Sequence, residues 1–329
     1  MSREPLKWRL KERIAQAKNV VWDFVLPHAI SEKIYAHYQG KKMMREQEVV
    51  MNNAISREEL FAAMDKLDLQ SDVMLHSSLV EIGNIEKRHK AVAEYLQKRL
   101  LDKGHTILNI AIPIKGSTEE YVRGISRFDK EAPNAMGALS KFYGAMPDAY
   151  RSLSPTHSVV AVGPKAEYYT AEHHMDETPC GVHSPFRKLV EQNGTIVMIG
   201  AAMSHLTFVH LLEDELGDAF PFRVYSKHPY LVDIYRDGEC IHHGQYYVHN
   251  KRMGALRVMM YPLYRIEQLP STKVVPLGAS KLIAMNARDA LRCMLEELRD
   301  GNSIYGHCCV SKASKMKIDE RLRWLEELQ

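Results

Sequence analysis

His210 and Glu213 lie three residues apart in the apolar stretch "TFVHLLEDEL", a spacing that places both side chains on one face of a helix. The ordinary pKa of histidine lies near neutrality, so an imidazole can take a proton from an ammonium group and free its lone pair. A carboxylate beside the imidazole can orient it, stabilise the imidazolium or position the amine. Taken alone, however, this pair is more commonly a core histidine followed by a solvated glutamate.

The stretch "VMLHSSLVEIG" places three polar residues, His76, Ser77 and Ser78, at the end of an apolar run. Backbone N–H groups at a strand end and small hydroxyls can bind an amide or a phosphate without steric hindrance. The alternative is that the serines only end the strand by bonding nearby backbone. Without further context, this second interpretation is the more common one.

Other histidines and cysteines are weaker candidates. The pairs "HH" at 173–174 and 242–243 and the triplet "HCC" at 307–309 lack the i, i+4 or C-x-x-C spacing of specific zinc sites, so we expect no metal. Cys180 could be an acyl-accepting nucleophile beside a histidine, but a small buried cysteine in a turn is the commoner case. We therefore expect no covalent acyl-enzyme.

The elements that would position these residues alternate between helix and strand. Ser56 and Glu59 form a capping-box pattern, and an amphipathic helix follows them. Strands are predicted for "VML", "HTILNIAIPI", "SVVAVG" and "GTIVMIG", with "EAPNAMGALSKFYGAM" as a helix among them. This alternation predicts the α/β class, with a layered α/β/α fold, a mixed central sheet and helices on both faces.

The chain divides into three predicted segments. Residues 1–54 form a helical N-terminal extension that includes Trp8 and breaks at Pro27, residues 55–275 form the main domain, and residues 276–329 form a C-terminal helical segment. The last segment contains two helical runs, "ARDALRCMLEELRDG" and "KIDERLRWLEEL".

Composition excludes several classes of protein. The 44 basic and 41 acidic residues among 329 give a net charge of +3 without a basic cluster, which argues against nucleic acid as a partner. The apolar runs fall short of a membrane span, and the N-terminus is charged where a signal peptide is apolar, so we expect a cytoplasmic protein with no membrane partner. The five cysteines are odd in number and we expect them to be reduced. A homodimer is left open.

The ordered set of motifs resembles the aminoglycoside 3-N-acetyltransferase family. The resemblance covers roughly residues 55–270. The matching stretches are, in order, Met74–Gly83, Met136–Leu139, Arg151–Val159, His183–Leu189 and Thr207–Glu213.

The resemblance implies a fold, a donor and site residues. Acetyl-CoA is expected along the strand end, with cofactor-binding residues His76, Ser77, Ser78, Leu79 and Thr207. His210 and Glu213 are the expected catalytic residues, with His210 as the base. Donors around Ser77, Ser78 and Thr207 would stabilise the tetrahedral oxyanion.

The chain departs from the family pattern around the acceptor. Ser154 stands where the family often has histidine, and it is expected with His157 to contact the substrate. Ser204 and Leu206 replace polar or acidic family positions, which argues against a polycationic antibiotic. A cationic rim is expected from three residues, Arg151, Lys165 and Arg187.

These observations predict an N-acetyltransferase that acetylates a primary amine of an amino sugar by direct transfer. The sugar could be nucleotide-linked and destined for a surface polysaccharide. One alternative is an aminoglycoside 3-N-acetyltransferase that confers antibiotic resistance. An alternative of another class is a non-catalytic binding protein on the same fold.

Overall fold

The computed structural model describes residues 13–14, 16–17, 28–114, 116–250, 253, 256–257 and 261–328. The helices are α1 (His28–Asn52), α2 (Arg57–Asp65), α3 (His89–Arg99), α4 (Thr118–Arg123), α5 (Ala138–Gly144), α6 (Ala166–Thr170), α7 (Pro185–Glu191), α8 (His210–Leu216), α9 (Tyr261–Glu267), α10 (Ala287–Arg299) and α11 (Lys312–Glu327). The strands are β1 (Ala54–Ile55), β2 (Val73–Ser77), β3 (Asn84–Ile85), β4 (Ile107–Ile110), β5 (Arg127–Phe128), β6 (Tyr150–Arg151), β7 (Val159–Val162), β8 (Thr195–Ile199), β9 (Tyr230–Arg236), β10 (Glu239–Tyr246), β11 (Lys273–Leu277), β12 (Ser280–Asn286), β13 (Asn302–Ser303) and β14 (Gly306–His307).

Seven of the described strands form one mixed sheet in the order β11-β12-β8-β2-β4-β7-β6. The central strand β2 pairs in parallel with both β4 and β8, whereas the outer pairs are antiparallel. The two parallel partners of β2 therefore lie on opposite sides of it, β4 on one side and β8 on the other. The carboxyl ends of such strands border a crevice where open α/β sheets commonly bind ligands.

The side chains of the central strands alternate between two apolar layers. Met74 and Met198 pack in one layer with residues of α7, α8 and α10, whereas Leu75 and Val197 pack in the other with residues of α2 and α3. Helices thus cover both faces, which explains why the strands are continuous apolar runs. The predicted α/β fold with a mixed central sheet is confirmed.

The N-terminal extension is described mainly as α1, in agreement with its predicted helical character; Trp8 and the break at Pro27 lie outside the described residues. The chain after α1 passes very close to Gly83, since a Cβ there would lie 2.3 Å from the Asn53 carbonyl oxygen. With its φ of +144°, this position favours glycine. Asn84 donates its N–H to Asn53 at 2.7 Å, and β1 pairs with β3. These contacts fix the end of α1 beside the turn Leu79–Glu81.

The predicted capping box is present, because the Glu59 N–H donates to Ser56 Oγ and the Ser56 N–H donates to a Glu59 carboxylate oxygen. The C-terminal segment differs from the prediction. The boundary at 275 falls inside β11, and β12 pairs with β8 in the main sheet because its apolar residues 282–285 are buried on both faces. The segment therefore contributes strands as well as helices, and the three-part division stays a prediction. No helix in the described part of the chain is both long and apolar enough to cross a bilayer.

Candidate active site

The residues at the end of β2 surround a cavity of about 510 Å³, here called the β2 cavity. All five predicted cofactor-binding residues line it: His76, Ser77, Ser78, Leu79 and Thr207. Thr207 reaches the cavity from the turn Thr207–Val209, which follows β8. The hydroxyls of Ser77 and Ser78 have no protein partner among the described residues, so they are available to a ligand.

A glycine allows the ends of β2 and β8 to meet at this cavity. Gly200 has a φ of +70°, and a Cβ there would lie 2.5 Å from the Ser78 carbonyl oxygen. The Ser78 N–H in turn donates to Ile199 at 2.9 Å. A larger residue at position 200 would displace the backbone that carries both serines.

His76 joins the two strand ends from inside the protein. Its Nε2 accepts the Thr207 N–H at 3.2 Å, so the proton of the neutral ring lies on Nδ1. This Nδ1 is buried and has no partner among the described residues. Burial, followed by the nearby His205, lowers the pKa of His76 to about 3. The ring is therefore neutral.

His210 begins α8, and Arg257 determines which of its nitrogens carries the proton. A guanidinium can only donate, so His210 Nε2 accepts from Arg257 Nη1, 2.6 Å away. The proton lies on Nδ1, which donates to Glu213 Oε2 at 3.0 Å. Both His210 and Glu213 are buried. Nε2 consequently has the lone pair that a base needs.

Glu213 accepts hydrogen bonds from three side chains, and these four residues are here called the Glu213 cluster. His249 Nε2 donates to Oε2 at 2.6 Å, and the Tyr305 hydroxyl donates to Oε1 at 2.6 Å, in addition to the bond from His210. Burial alone would raise the pKa of Glu213, but His210 and His249 hold it below its ordinary range. The buried carboxylate is thus ionised and fully paired.

Burial lowers the pKa of His210 to about 4, although the charge of Glu213 acts in the opposite direction. The imidazole is therefore neutral at physiological pH and can accept a proton.

His157 adjoins the cluster, but Ser154 does not present a free hydroxyl. The His157 ring lies 5.3 Å from the ring of His210 and 5.8 Å from that of His249, measured between centroids. Ser154 is buried, and its Oγ accepts the His157 N–H and bonds Thr156 Oγ1. The structure therefore places His157 at the site, whereas Ser154 shapes the turn that carries it. Their predicted contact with substrate stays a prediction.

A second cavity, of about 680 Å³, is bordered by α8 residues 213–214 and is here called the acidic cavity. Its lining includes the carboxyl side chains of Glu177, Glu213, Asp214 and Asp218, together with two basic residues, Arg223 and Lys227. Burial raises the pKa of Asp214 to about 8, although Tyr225 and the Cys180 N–H donate to its oxygens. Carboxyl groups in a cleft are suited to ammonium groups.

The predicted cationic rim is wrong, because each of its members is used within the fold. Arg151 donates to the carbonyl oxygens of residues 111 and 133, and Lys165 contacts Gln192 and Asp72. Arg187 is paired with Glu191 and Glu215. This pairing removes the main observation that favoured a phosphate-bearing acceptor.

The described residues contain two groups of potential metal ligands, His157 with His210 and His249, and the exposed set of Asp233, Cys240 and His243. In the first group the His210 lone pair is directed at the Arg257 guanidinium, which is incompatible with a cation in that position. Proton transfer is therefore the chemistry that this arrangement favours. His173 is structural, since its two ring nitrogens bond Ser152 and Pro179.

Cys180 is buried, and burial raises the pKa of its thiol well above the ordinary value. A thiol is a poor nucleophile in this form.

Sequence reasoning missed three residues of the site, His249, Arg257 and Tyr305. They reach α8 from three distant segments, and no local spacing relates them to His210. In the sequence each of them is a polar side chain near glycine or other polar residues. Such patterns are common on protein surfaces, so they did not indicate a site.

Comparisons with known proteins identify the family of this chain. The family model for aminoglycoside 3-N-acetyltransferase matches residues 74–299, and the chain belongs to this family. The resemblance inferred from the motifs is thereby confirmed.

Individual relatives are more distant. An aminoglycoside N(3)-acetyltransferase III of a Salmonella species is 30% identical over 167 residues, which cover 46% of this chain and 57% of the relative. The chain spans little more than half the length of the first curated relatives that it matches. Among solved structures, AAC-IIIb in a binary complex with CoASH has a TM-score of 0.60 and 22% identity, covering 75% of this chain and 97% of the other. The aminoglycoside acetyltransferase AAC(3)-Xa has a TM-score of 0.62 and 21% identity, with 76% and 95% covered. These structures share the fold.

Proposed function

We propose that this protein is an enzyme that transfers an acetyl group from acetyl-CoA to a primary amine of an aminoglycoside. One observation carries the proposal: the short segment Thr207–Asp214 lines both cavities. Thr207 borders the β2 cavity, Glu213 and Asp214 border the acidic cavity, and the buried His210 lies between these residues along the chain. A base between a donor cleft and an amine-binding cleft is what direct transfer requires.

In the proposed reaction the acceptor ammonium donates to His210 Nε2 in place of Arg257. His210 takes the proton, and its new charge is stabilised by Glu213, which His249 and Tyr305 hold in position. The freed amine forms a bond to the thioester carbon, and the C–S bond then breaks. The proton on His210 passes to the leaving thiolate. The second proton of the acylated nitrogen then passes to the freed imidazole and on to solvent, so that the base is regenerated and one proton is released for each ammonium acetylated.

The oxyanion formed during attack needs donors that are not already used. The Thr207 N–H already donates to His76, whereas the Thr207 hydroxyl has no partner among the described residues. The hydroxyls of Ser77, Ser78 and Thr207, which all border the β2 cavity, remain. We assign the oxyanion and the thioester end of the donor to these groups.

The acceptor is better matched by the aminoglycoside alternative than by a nucleotide-linked amino sugar. The curated relatives are aminoglycoside acetyltransferases, and one solved relative, AAC-VIa, is bound to sisomicin. In the acidic cavity the carboxylates of Glu177 and Asp218 can meet ammonium groups, but Arg223 and Lys227 balance their charge and the raised pKa of Asp214 keeps that group protonated at neutral pH. The choice of acceptor therefore rests on the relatives and on the rim, whose Arg187 is internally paired. A non-catalytic role is disfavoured because His210 and Glu213, the pair expected to be catalytic from the resemblance, are both present and hydrogen-bonded to each other.

The test is a thiol-release assay with acetyl-CoA and three acceptors: sisomicin, a single-amine sugar and a nucleotide-linked amino sugar. We expect the highest kcat/KM for sisomicin. A clear preference for the nucleotide-linked sugar would reverse the choice of acceptor. If no amine caused thiol release, the proposal that the protein is an acetyltransferase would be contradicted. Intact-mass measurement with acetyl-CoA alone should show no adduct. An adduct that disappears in Cys180→Ser would replace direct transfer by a covalent mechanism.

A further inference from the structure

The β2 cavity has an unusual charge for a site that is proposed to hold coenzyme A. Its lining within the described residues includes the carboxylates of Glu46 and Glu81 but only one lysine or arginine, Lys42. Coenzyme A carries several negative charges on its phosphates, and these need a cation or many N–H donors near them. Without Lys42, the charged rim of this cavity would be acidic.

Lys42 does not belong to the region that the family model matches. It lies on α1, whereas the match begins at residue 74. Helical spacing places Lys42 on the same face as Glu46 and the half-buried Val49 and Val50. The neighbouring residues Lys41 and Met43 are exposed and do not line the cavity.

The position of α1 is fixed by contacts on the rest of the chain. Its end is held by the close approach of Asn53 to Gly83, and the helix contacts the turn Leu79–Glu81. An earlier part of the extension also reaches the site, because Gln16 Nε2 donates to the carbonyl oxygens of Tyr305 and Leu256 at 2.6 and 3.0 Å. The extension therefore borders both the β2 cavity and the Glu213 cluster.

We propose that α1 completes the donor site and that Lys42 binds a phosphate group of coenzyme A. The proposal rests on the proposed function, since it assumes a coenzyme A thioester in the β2 cavity. At present the Lys42 ammonium lies 3.7 Å from a Glu46 carboxylate oxygen, and its side chain is 46% exposed. Such an exposed pair is weak, so a phosphate can replace the carboxylate as the partner of Lys42.

The test compares dissociation constants of full-length wild-type protein and three variants for coenzyme A, dephospho-coenzyme A and pantetheine. Lys42→Gln should weaken binding of coenzyme A about fivefold to tenfold, the range between an exposed ion pair and a charge-assisted hydrogen bond, and leave pantetheine unchanged. Lys41→Gln removes the same charge one residue away and should have little effect. Glu46→Gln should act in the opposite direction and tighten binding, because it removes the competing carboxylate.

The ligand series identifies the phosphate. An effect of Lys42→Gln on coenzyme A alone assigns the 3′-phosphate, and an effect on dephospho-coenzyme A as well assigns the diphosphate. Equal effects of Lys42→Gln and Lys41→Gln, or no effect of either, would overturn the proposal while leaving the enzyme assignment intact. Failure of the wild-type protein to bind coenzyme A would instead contradict the proposed function. Matching melting temperatures of the variants exclude misfolding as the cause.

Discussion

The two halves of the site are built in different ways. The longest part of the β2 cavity lining is one continuous stretch, residues 75–81, and short pieces of α1, β4, α5 and the turns after β8 complete it. The Glu213 cluster is assembled from single side chains on three separate segments, joined only through one carboxylate. A binding surface can thus be supplied by a strand end, whereas a buried charge needs partners from wherever the fold brings them.

This comparison predicts that substitutions in the Glu213 cluster affect the chemical step, whereas those in the β2 cavity affect binding of the acetyl donor. The largest effect is expected for His210→Ala, which removes the proposed base but no residue of the β2 cavity. The rate of transfer should fall about a hundredfold to ten-thousandfold, with the dissociation constant for coenzyme A nearly unchanged. Stopped-flow transfer and calorimetric binding measure the two quantities separately.

His243→Ala is the control, since His243 is an exposed histidine on β10 that bonds only Asp233 and Cys240 among the described residues. Wild-type turnover of His210→Ala at neutral pH would remove His210 from the mechanism.

The same contrast explains how much could be predicted from the sequence. The residues of β2 and its turn are contiguous, so an apolar run that ends in "HSS" indicated the strand, and the resemblance to the family assigned a site to its end. Residues three apart on a helix share a face, which placed His210 beside Glu213, but their catalytic role also came from the resemblance. Tyr305 and His249 were not found, because contact between residues far apart in sequence is decided by tertiary packing. The charge state of Arg151 and Arg187 was known from the sequence, but their internal partners were not.

The second prediction concerns the backbone of the β2 cavity. Gly200→Ala should destabilise the protein by about 3 kcal/mol, because it combines a positive φ with a Cβ only 2.5 Å from the Ser78 carbonyl oxygen. The KM for acetyl-CoA should rise as Ser78 is displaced. Gly104→Ala isolates the strain, since Gly104 has a φ of +82° but nothing within 4 Å of its Cβ position. If denaturant unfolding showed the same loss of unfolding free energy in both variants, the contact with Ser78 would be unimportant.

A third, smaller effect tests the support of Glu213. Tyr305→Phe removes a donor from a buried carboxylate and should lower the free energy of unfolding by about 1.5–3 kcal/mol. Tyr143→Phe is the matched control, because the Tyr143 hydroxyl is buried without a partner among the described residues. This control should be neutral or slightly stabilising. If both variants lose the same stability, the loss reflects the buried ring environment and not the bond to Glu213.

The smallest expected effect is the dependence of kcat/KM on pH, which should be nearly flat in weak acid. The lowered pKa of His210, about 4 against an ordinary 6.5, keeps the base neutral in weak acid. Between about pH 7.5 and 5.5, kcat/KM should therefore change less than about twofold, whereas a base with an ordinary pKa would lose about tenfold. Arg257→Gln should move the acid limb of the kcat/KM profile to higher pH, because the guanidinium charge disfavours the imidazolium form of His210.

Folding must be followed over the same range. A histidine with a lowered pKa in the folded state contributes stability that is complete above pH 6.5 and is lost as the pH falls through about 4. His76 and His173 have pKa values lowered in the same direction by burial, so the free energy of unfolding should decrease together with pH below 6.5. Circular dichroism at each pH therefore distinguishes a loss of folded protein from a loss of the base. An acid limb centred near 6.5 in fully folded protein would show that His210 is solvated during turnover and that its burial in the Glu213 cluster is not the state that reacts.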